Sequence, residues 1–324
     1  MKRLWYILFL PFALGACSLI DDDLTVCGDE MVIEYQVQLH TELEVQLDTE
    51  LTLEAEEPVR AALEKWLEPI FTDKAKDIDL RFWLAETDEM RHRIQEIIND
   101  NHTSYTIRLP KEDYMHLAIA NIADNRQVQV FAGDSSATMA LCLPTDRDIE
   151  PLTTGLYTGR LLMEMNDTIR HFDVELYMVT SAVALIIDSA ACPALQSMEG
   201  YIEGTANRFS VRDSIFGFEH ARALWMDRLL IEEATPLTCL GTVGFPTRQM
   251  DDAWTITFTA TLTDNRHTTS VLTIKDPLEA GELRIIKCYM DDNGQLNPDI
   301  EHDSEVGVTV TFDWNQGSGH DIDI

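Results

Sequence analysis

"VIEYQVQLH", residues 32–40, alternates without a break: Ile33, Tyr35, Val37 and Leu39 fall on one parity, Glu34, Gln36 and Gln38 on the other. Successive side chains of a strand point to opposite faces, so the stretch reads as a strand with one face in a core and one in water. Wound as a helix, the same residues would scatter around the axis. The pattern recurs along the chain. "YTIRL" repeats it with Tyr105, Ile107 and Leu109, and "MHLAIANI" follows after the turn-forming "PKED". "HFDVELYMV", "WTITFTATLT" and "ELRIIKCYM" add further half-buried strands, and "VGVTVTFDW" alternates Val306, Val308, Val310, Phe312 and Trp314 with small or polar residues. Turn signals such as "TDNR" and "DDNG" punctuate these runs, and there is no βαβ rhythm. The prediction is an all-β protein of antiparallel β-sandwiches.

One segment changes period. In "EEPVRAALEKWLEPIF", residues 56–71, Val59, Ala62, Leu63, Trp66, Leu67, Ile70 and Phe71 recur at helical spacing. Pro58 suits a helix start and Pro69 its end. The expectation is a short amphipathic helix on the first sandwich, with Trp66 in the core. Pro, Asp and Thr accumulate in "LPTDRDIEPLTTG", 143–155, and predict a break between an N-terminal domain at 28–146 and a C-terminal domain at 147–324.

The N-terminus has a separate logic. Lys2 and Arg3 precede an apolar run from Leu4 to Leu14, about 16 Å as a helix and roughly half a bilayer's hydrocarbon core. Those flanks and that length read as a secretory signal. Leu14-Gly15-Ala16-Cys17 has the form of a bacterial lipobox, which implies a signal peptide at 1–16, cleavage between Ala16 and Cys17, and acylation of Cys17. Residues 17–27 then form a lipidated acidic tether. Its Ser18 and Asp21, Asp22 and Asp23 resemble the export signal of surface lipoproteins, and such a run stays solvated because it repels itself. Several acyl chains hold durably where one would not.

The formal charge of −33, from 57 acidic and 24 basic residues, repels nucleic acid and anionic lipid headgroups. With Cys17 assigned to lipid, Cys27, Cys142, Cys192, Cys239 and Cys288 remain, an odd set with no C-x-x-C pair. Their default reading is as small buried hydrophobes, and any disulfide pairing stays open. There is no G-x-S-x-G, Walker loop, H-E-x-x-H or strand-linked G-x-G-x-x-G. "YMDDNGQLNPDIE" fails the calcium-loop pattern and reads as a hairpin turn. The histidines are dispersed, and no carboxylate pair stands out among so many. Neither enzymatic activity, metal nor cofactor is expected. The triplets "DTI", "DSA" and "DSI" at 167, 188 and 213 have the form of an O-glycosylation motif too short to be selective.

As an ordered set, the lipobox, "DDDLTVC" with Cys27, the helix leading into "DIDLRFWLAET", and "YTIRLPKEDYMHLAIANIADN" with Asn121 resemble the FimB-type fimbrium anchoring subunits of Bacteroidales. "GLYTGRLLMEM", with Gly155, Tyr157 and Gly159, resembles that family's second-domain opening, and "VGVTVTFDW" its closing strand. The resemblance implies two tandem transthyretin-like sandwiches and a lipoprotein anchored in the outer membrane and exposed on the cell surface. It also implies a fimbrial stalk subunit as partner, and a role in holding the fibre's base and limiting its length. The alternatives are a surface glycan-binding lipoprotein, which would present clustered exposed Trp among Trp83, Trp225 and Trp254, and a lipid-anchored hydrolase.

Overall fold

The computed structural model describes residues 30–40, 44–47, 57–71, 75–97, 104–165, 171–232, 235–248 and 254–298. The signal, the tether and the 306–314 stretch lie outside them. In chain order the first half contains β1 (Glu30–His40), β2 (Glu44–Leu47), α1 (Glu57–Leu67), β3 (Asp77–Leu84), β4 (Met90–Ile97), β5 (Ser104–Pro110), β6 (Tyr114–Ala120), β7 (Gln129–Ala132), β8 (Met139–Cys142), β9 (Tyr157–Met163) and β10 (His171–Met178). The second half contains β11 (Ser181–Asp188), β12 (Leu195–Glu203), β13 (Arg208–Ser210), β14 (Ile215–Gly217), β15 (Leu224–Arg228), β16 (Leu237–Gly244), β17 (Trp254–Leu262), β18 (His267–Ile274), β19 (Glu282–Met290) and β20 (Leu296–Pro298). Among these described residues, no helix is long and apolar enough to cross a membrane.

The molecule is mostly β, with two tandem β-sandwich units. The first large sheet runs β4-β3-β6-β9-β10-β1-β5 and the second β18-β17-β12-β15-β16-β11-β19-β2, with β20 on β19. The second sheet curls, so β20 lies across from β18: Leu296 N donates to Ser270 Oγ at 2.9 Å. The alternation read from sequence is visible in β5, where Tyr105, Ile107 and Leu109 are buried between exposed neighbours. "TDNR" joins β17 to β18, with Asn265 in the left-handed region that Asn tolerates (φ 63°). "DDNG" makes the β19–β20 hairpin, where the Asp291 carboxylate accepts the N–H groups of Asn293 and Gln295 at 3.0 and 2.9 Å.

Three features depart from the expectation. Pairing is antiparallel except for β1 with β10, β11 with β19 and β2 with β19, which are parallel. The predicted break at 147 does not separate the sheets: β9 pairs with β6 over its whole length and β10 with β1, so both belong to the first sheet. The chain changes sheet between Met178 and Ser181. Alternation identifies strands but not partners, and the loop at 143–155 only connects β8 to β9.

The two units also exchange segments. β2, which follows the first sheet's β1, lies at the edge of the second sheet. The β13–β14 hairpin, from the second half, joins β7 and β8 in a small sheet of order β14-β13-β8-β7. Helix α1 is shared likewise. Its Val59, Leu63 and Leu67 are fully buried, but Trp66 is half-buried and its ring lies on Gly241 of β16, where an added Cβ would approach within 2.8 Å. The helix was expected on the first sandwich; its tryptophan covers the second. Just beyond it, the carbonyl of Ile70 and the side chain of Met178 close on Gly155, whose Cβ would meet them at 2.2 and 2.4 Å. Only glycine permits that approach.

Candidate functional site

The sequence-predicted site residues, Ala16, Cys17, Ser18, Asp21, Asp22 and Asp23, lie outside the described residues, as does Cys27. Cys142, Cys192, Cys239 and Cys288 form no disulfide with one another. The last three are buried, in line with their reading as small hydrophobes, and burial pushes the Cys239 thiol up to about 12. Among the described residues, no group of three or more His, Cys, Asp and Glu is placed to hold a metal.

Several conspicuous polar residues serve the fold. On β3, Asp79 accepts two bonds from Arg81, at 2.9 and 2.8 Å, and two from Arg93 of β4, at 3.2 and 2.8 Å. Burial raises the Asp79 pKa, but the two guanidiniums outweigh it and hold the carboxyl below its usual value. His116 is fully buried and stacked on Phe82 at 4.3 Å. Its Nδ1 lies 2.9 Å from the Arg81 carbonyl, so that nitrogen carries the proton and the Tyr35 hydroxyl donates to Nε2. Burial lowers its pKa to about 4, keeping the ring neutral. Asn121, at the end of β6, adopts φ 66° and receives the Lys76 N–H on its Oδ1. Trp83 and Trp254 are buried, with their indole N–H groups on the carbonyls of Gly133 and Asp276. Trp225 alone of the three is half-exposed, tilted against Tyr201. Among the described residues, Trp83, Trp225 and Trp254 form no exposed cluster.

Two surfaces remain available. The first is an open groove of about 1060 Å³ over the outer face of the small sheet. Register puts Gln129, Cys142, Arg208 and Gly217 in one row of that face, and Phe131, Ala140, Ser210 and Ile215 in the next. Of the opposite parity, Leu141 and Phe209 are buried, and Val130 and Phe216 are half-buried. Gln129, Cys142, Arg208, Ser210 and Gly217 of these rows line the groove, together with Phe131 and Ile215, which are 55% and 63% exposed. The loops after β8 and β14 wall it with Arg147, Asp146, Phe218 and Glu219, joined by Arg126 and Arg248. Arg248 lies over the Phe218 ring at 5.2 Å. Sequence reading missed this site because its residues come from four short, separate segments with no spacing signal.

The second surface is the edge strand β18, against which the β19–β20 hairpin rests through Thr268 Oγ1 donating to the Asn293 carbonyl at 2.8 Å. Among the described residues β18 pairs only with β17. Its outward side chains are His267, Thr269, Val271 and Thr273, with Val271 58% exposed. Edges are usually blunted by charge or proline. β4, an edge of the first sheet, carries Arg91 and Arg93; β18 has neither acid, lysine, arginine nor proline along its eight residues.

No family model and no curated protein matches the sequence. Solved structures of similar fold do. A "putative adhesin" from Bacteroides ovatus aligns with TM-score 0.51 at 9% identity, covering 84% of this chain and 94% of its own. Another protein so described, from Bacteroides thetaiotaomicron, aligns with TM-score 0.50 at 12% identity, covering 83% and 96%. These two share the fold. The solved neighbours also include the fimbrial anchor protein Mfa2 from Porphyromonas gingivalis, at TM-score 0.47 and 12% identity over 80% and 90%, too distant to support an argument.

Proposed function

We propose that the chain is a non-enzymatic surface lipoprotein that holds the base of a fimbrium at the outer membrane and limits its length. In this reading Cys17 carries the acyl chains, Ser18 with Asp21, Asp22 and Asp23 directs export, and a stalk subunit docks by strand pairing. The observation that carries the reading is the uncharged edge strand β18, whose backbone pairs only with β17 among the described residues. An incoming strand would gain main-chain hydrogen bonds along it and seat alternate side chains beside Thr269, Val271 and Thr273. The fold shared with two adhesin structures is compatible with that role.

The direction of β1 adds support. Glu30 begins β1 13 residues after Cys17, a reach of about 45 Å when extended. β1 then runs parallel to β10, so that His40 reaches Tyr177, beside the crossing into the second sheet. The N-terminal end of β1 and the crossing into the second sheet therefore lie at opposite ends of that strand pair. Val271→Lys tests the edge: a charge at mid-strand should abolish capture of the stalk subunit by the purified chain while leaving its thermal midpoint within a few degrees. Undiminished capture would remove β18 from the account.

A further inference from the structure

The groove over the small sheet has chemistry of its own, independent of strand pairing at β18. We propose that it binds an oligosaccharide bearing at least one carboxylated sugar. Three features of the groove bear on this. First, Arg126, Arg147 and Arg208 line it and enter no ion pair among the described residues. That is unexpected in a chain where 57 acids face 24 basic residues. A planar guanidinium fork is suited to gripping a carboxylate with two parallel bonds. The Arg208 stem lies against Gly217, its Cβ at 3.3 Å from where a glycine Cβ would sit, and the residue lines the groove.

Second, Asn207 lines the groove while only 4% exposed, and its Oδ1 has no partner. Its Nδ2 donates to the Glu219 carbonyl at 2.8 Å, which fixes the orientation of the amide. That oxygen is itself shut off from solvent, so the amide braces the groove wall at Glu219 and the ligand contacts come from the exposed groups around it.

Third, the groove mixes charge signs and apolar faces. Asp146, Asp213 and Glu219 stand among the arginines, so a run of acidic residues or a polyanion would be repelled as well as attracted. A polyhydroxylated ligand uses both kinds of group, hydroxyls donating to the carboxylates and accepting from the guanidiniums. The exposed Phe131 ring offers a surface for the apolar face of a pyranose. An extended peptide fits less well, because the floor is the face of a sheet whose backbone groups are already paired. The volume lies just above the ~300–1,000 Å³ range of small-molecule sites, enough for a short oligomer.

The test is calorimetric titration of the full mature lipoprotein in detergent with trigalacturonate, neutral maltotriose and hexaglutamate. Trigalacturonate should saturate one site at least tenfold more tightly than maltotriose, and tighter than hexaglutamate, with affinity falling as salt is raised. Arg147→Gln combined with Arg208→Gln should weaken it at least tenfold, with unchanged circular dichroism. Val271→Lys should leave it untouched, so the fate of the β18 docking reading is measured separately. No binding of trigalacturonate, equal binding of maltotriose, tighter binding of hexaglutamate, or full affinity in the double variant would each overturn the proposal.

Discussion

At the scale of single residues, the side chains that resemble functional groups most are held by packing. His116 is the clearest case. Its folded-state pKa of about 4 lies below the ordinary value of 6.5. The unfolded chain therefore binds a proton that the folded chain refuses, and stability is fully present above pH 6.5 and lost as pH falls toward 4. The loss should approach about 3 kcal/mol. The groups around the ring are the Tyr35 hydroxyl, the Arg81 carbonyl and Phe82, none of which carries a charge toward it. Urea melts between pH 7 and pH 4 should show a steeper fall for the native chain than for His116→Gln, with parallel slopes in the two sequences counting against it. Nothing in the sequence told Trp83 and Trp254 apart from Trp225, because their burial depends on strands far away in the chain. Gly155, by contrast, was already visible as part of a motif, and the approach of Ile70 and Met178 gives its reason.

At the scale of elements, alternation located strands well. The stretches "YTIRL", "MHLAIANI", "HFDVELYMV", "WTITFTATLT" and "ELRIIKCYM" all fall in strands, and both short turn motifs form turns. Partner choice was not legible, since parity fixes which face is buried and not which strand lies alongside. That is why β9 and β10 were assigned to the wrong sheet and the three parallel pairings were missed. Helix α1 was legible as an amphipathic helix but not as a bridge: its first-turn Pro58 and apolar spacing say nothing about Gly241. If α1 bridges as described, Trp66→Ala should destabilise the chain by about 3 kcal/mol, the low end for aromatic truncation because the ring is half-buried. Hydrogen exchange should then quicken in β16, in the second sheet, as well as around Gly155. Exchange confined to the first sheet would mean that the helix belongs there alone.

At the scale of the molecule, the exchange of β2 and of the β13–β14 hairpin ties the two sandwiches to each other. A cut at 146 would separate β9 and β10 from the sheet they complete, so a 28–146 fragment should fail to fold, while the whole chain should unfold in one transition. Two well-separated calorimetric transitions would show that the exchanged segments contribute little. For the proposed anchor, such a tie means that neither unit can be peeled away without breaking strands in the other. The groove and the β18 edge were invisible in the sequence for one shared reason: each is defined by which strands end up adjacent. The proposed lipid end rests on a lipobox, a local motif that needs no knowledge of strand pairing. The anchoring role as a whole is tested most directly by replacing the native chain with Cys17→Ala in its own cells and measuring fimbriae on cells and in the medium. The account predicts fibres shed into the medium with the unlipidated protein still bound to them. Fibres retained on the cells in normal amount, with the variant absent from them, would contradict it.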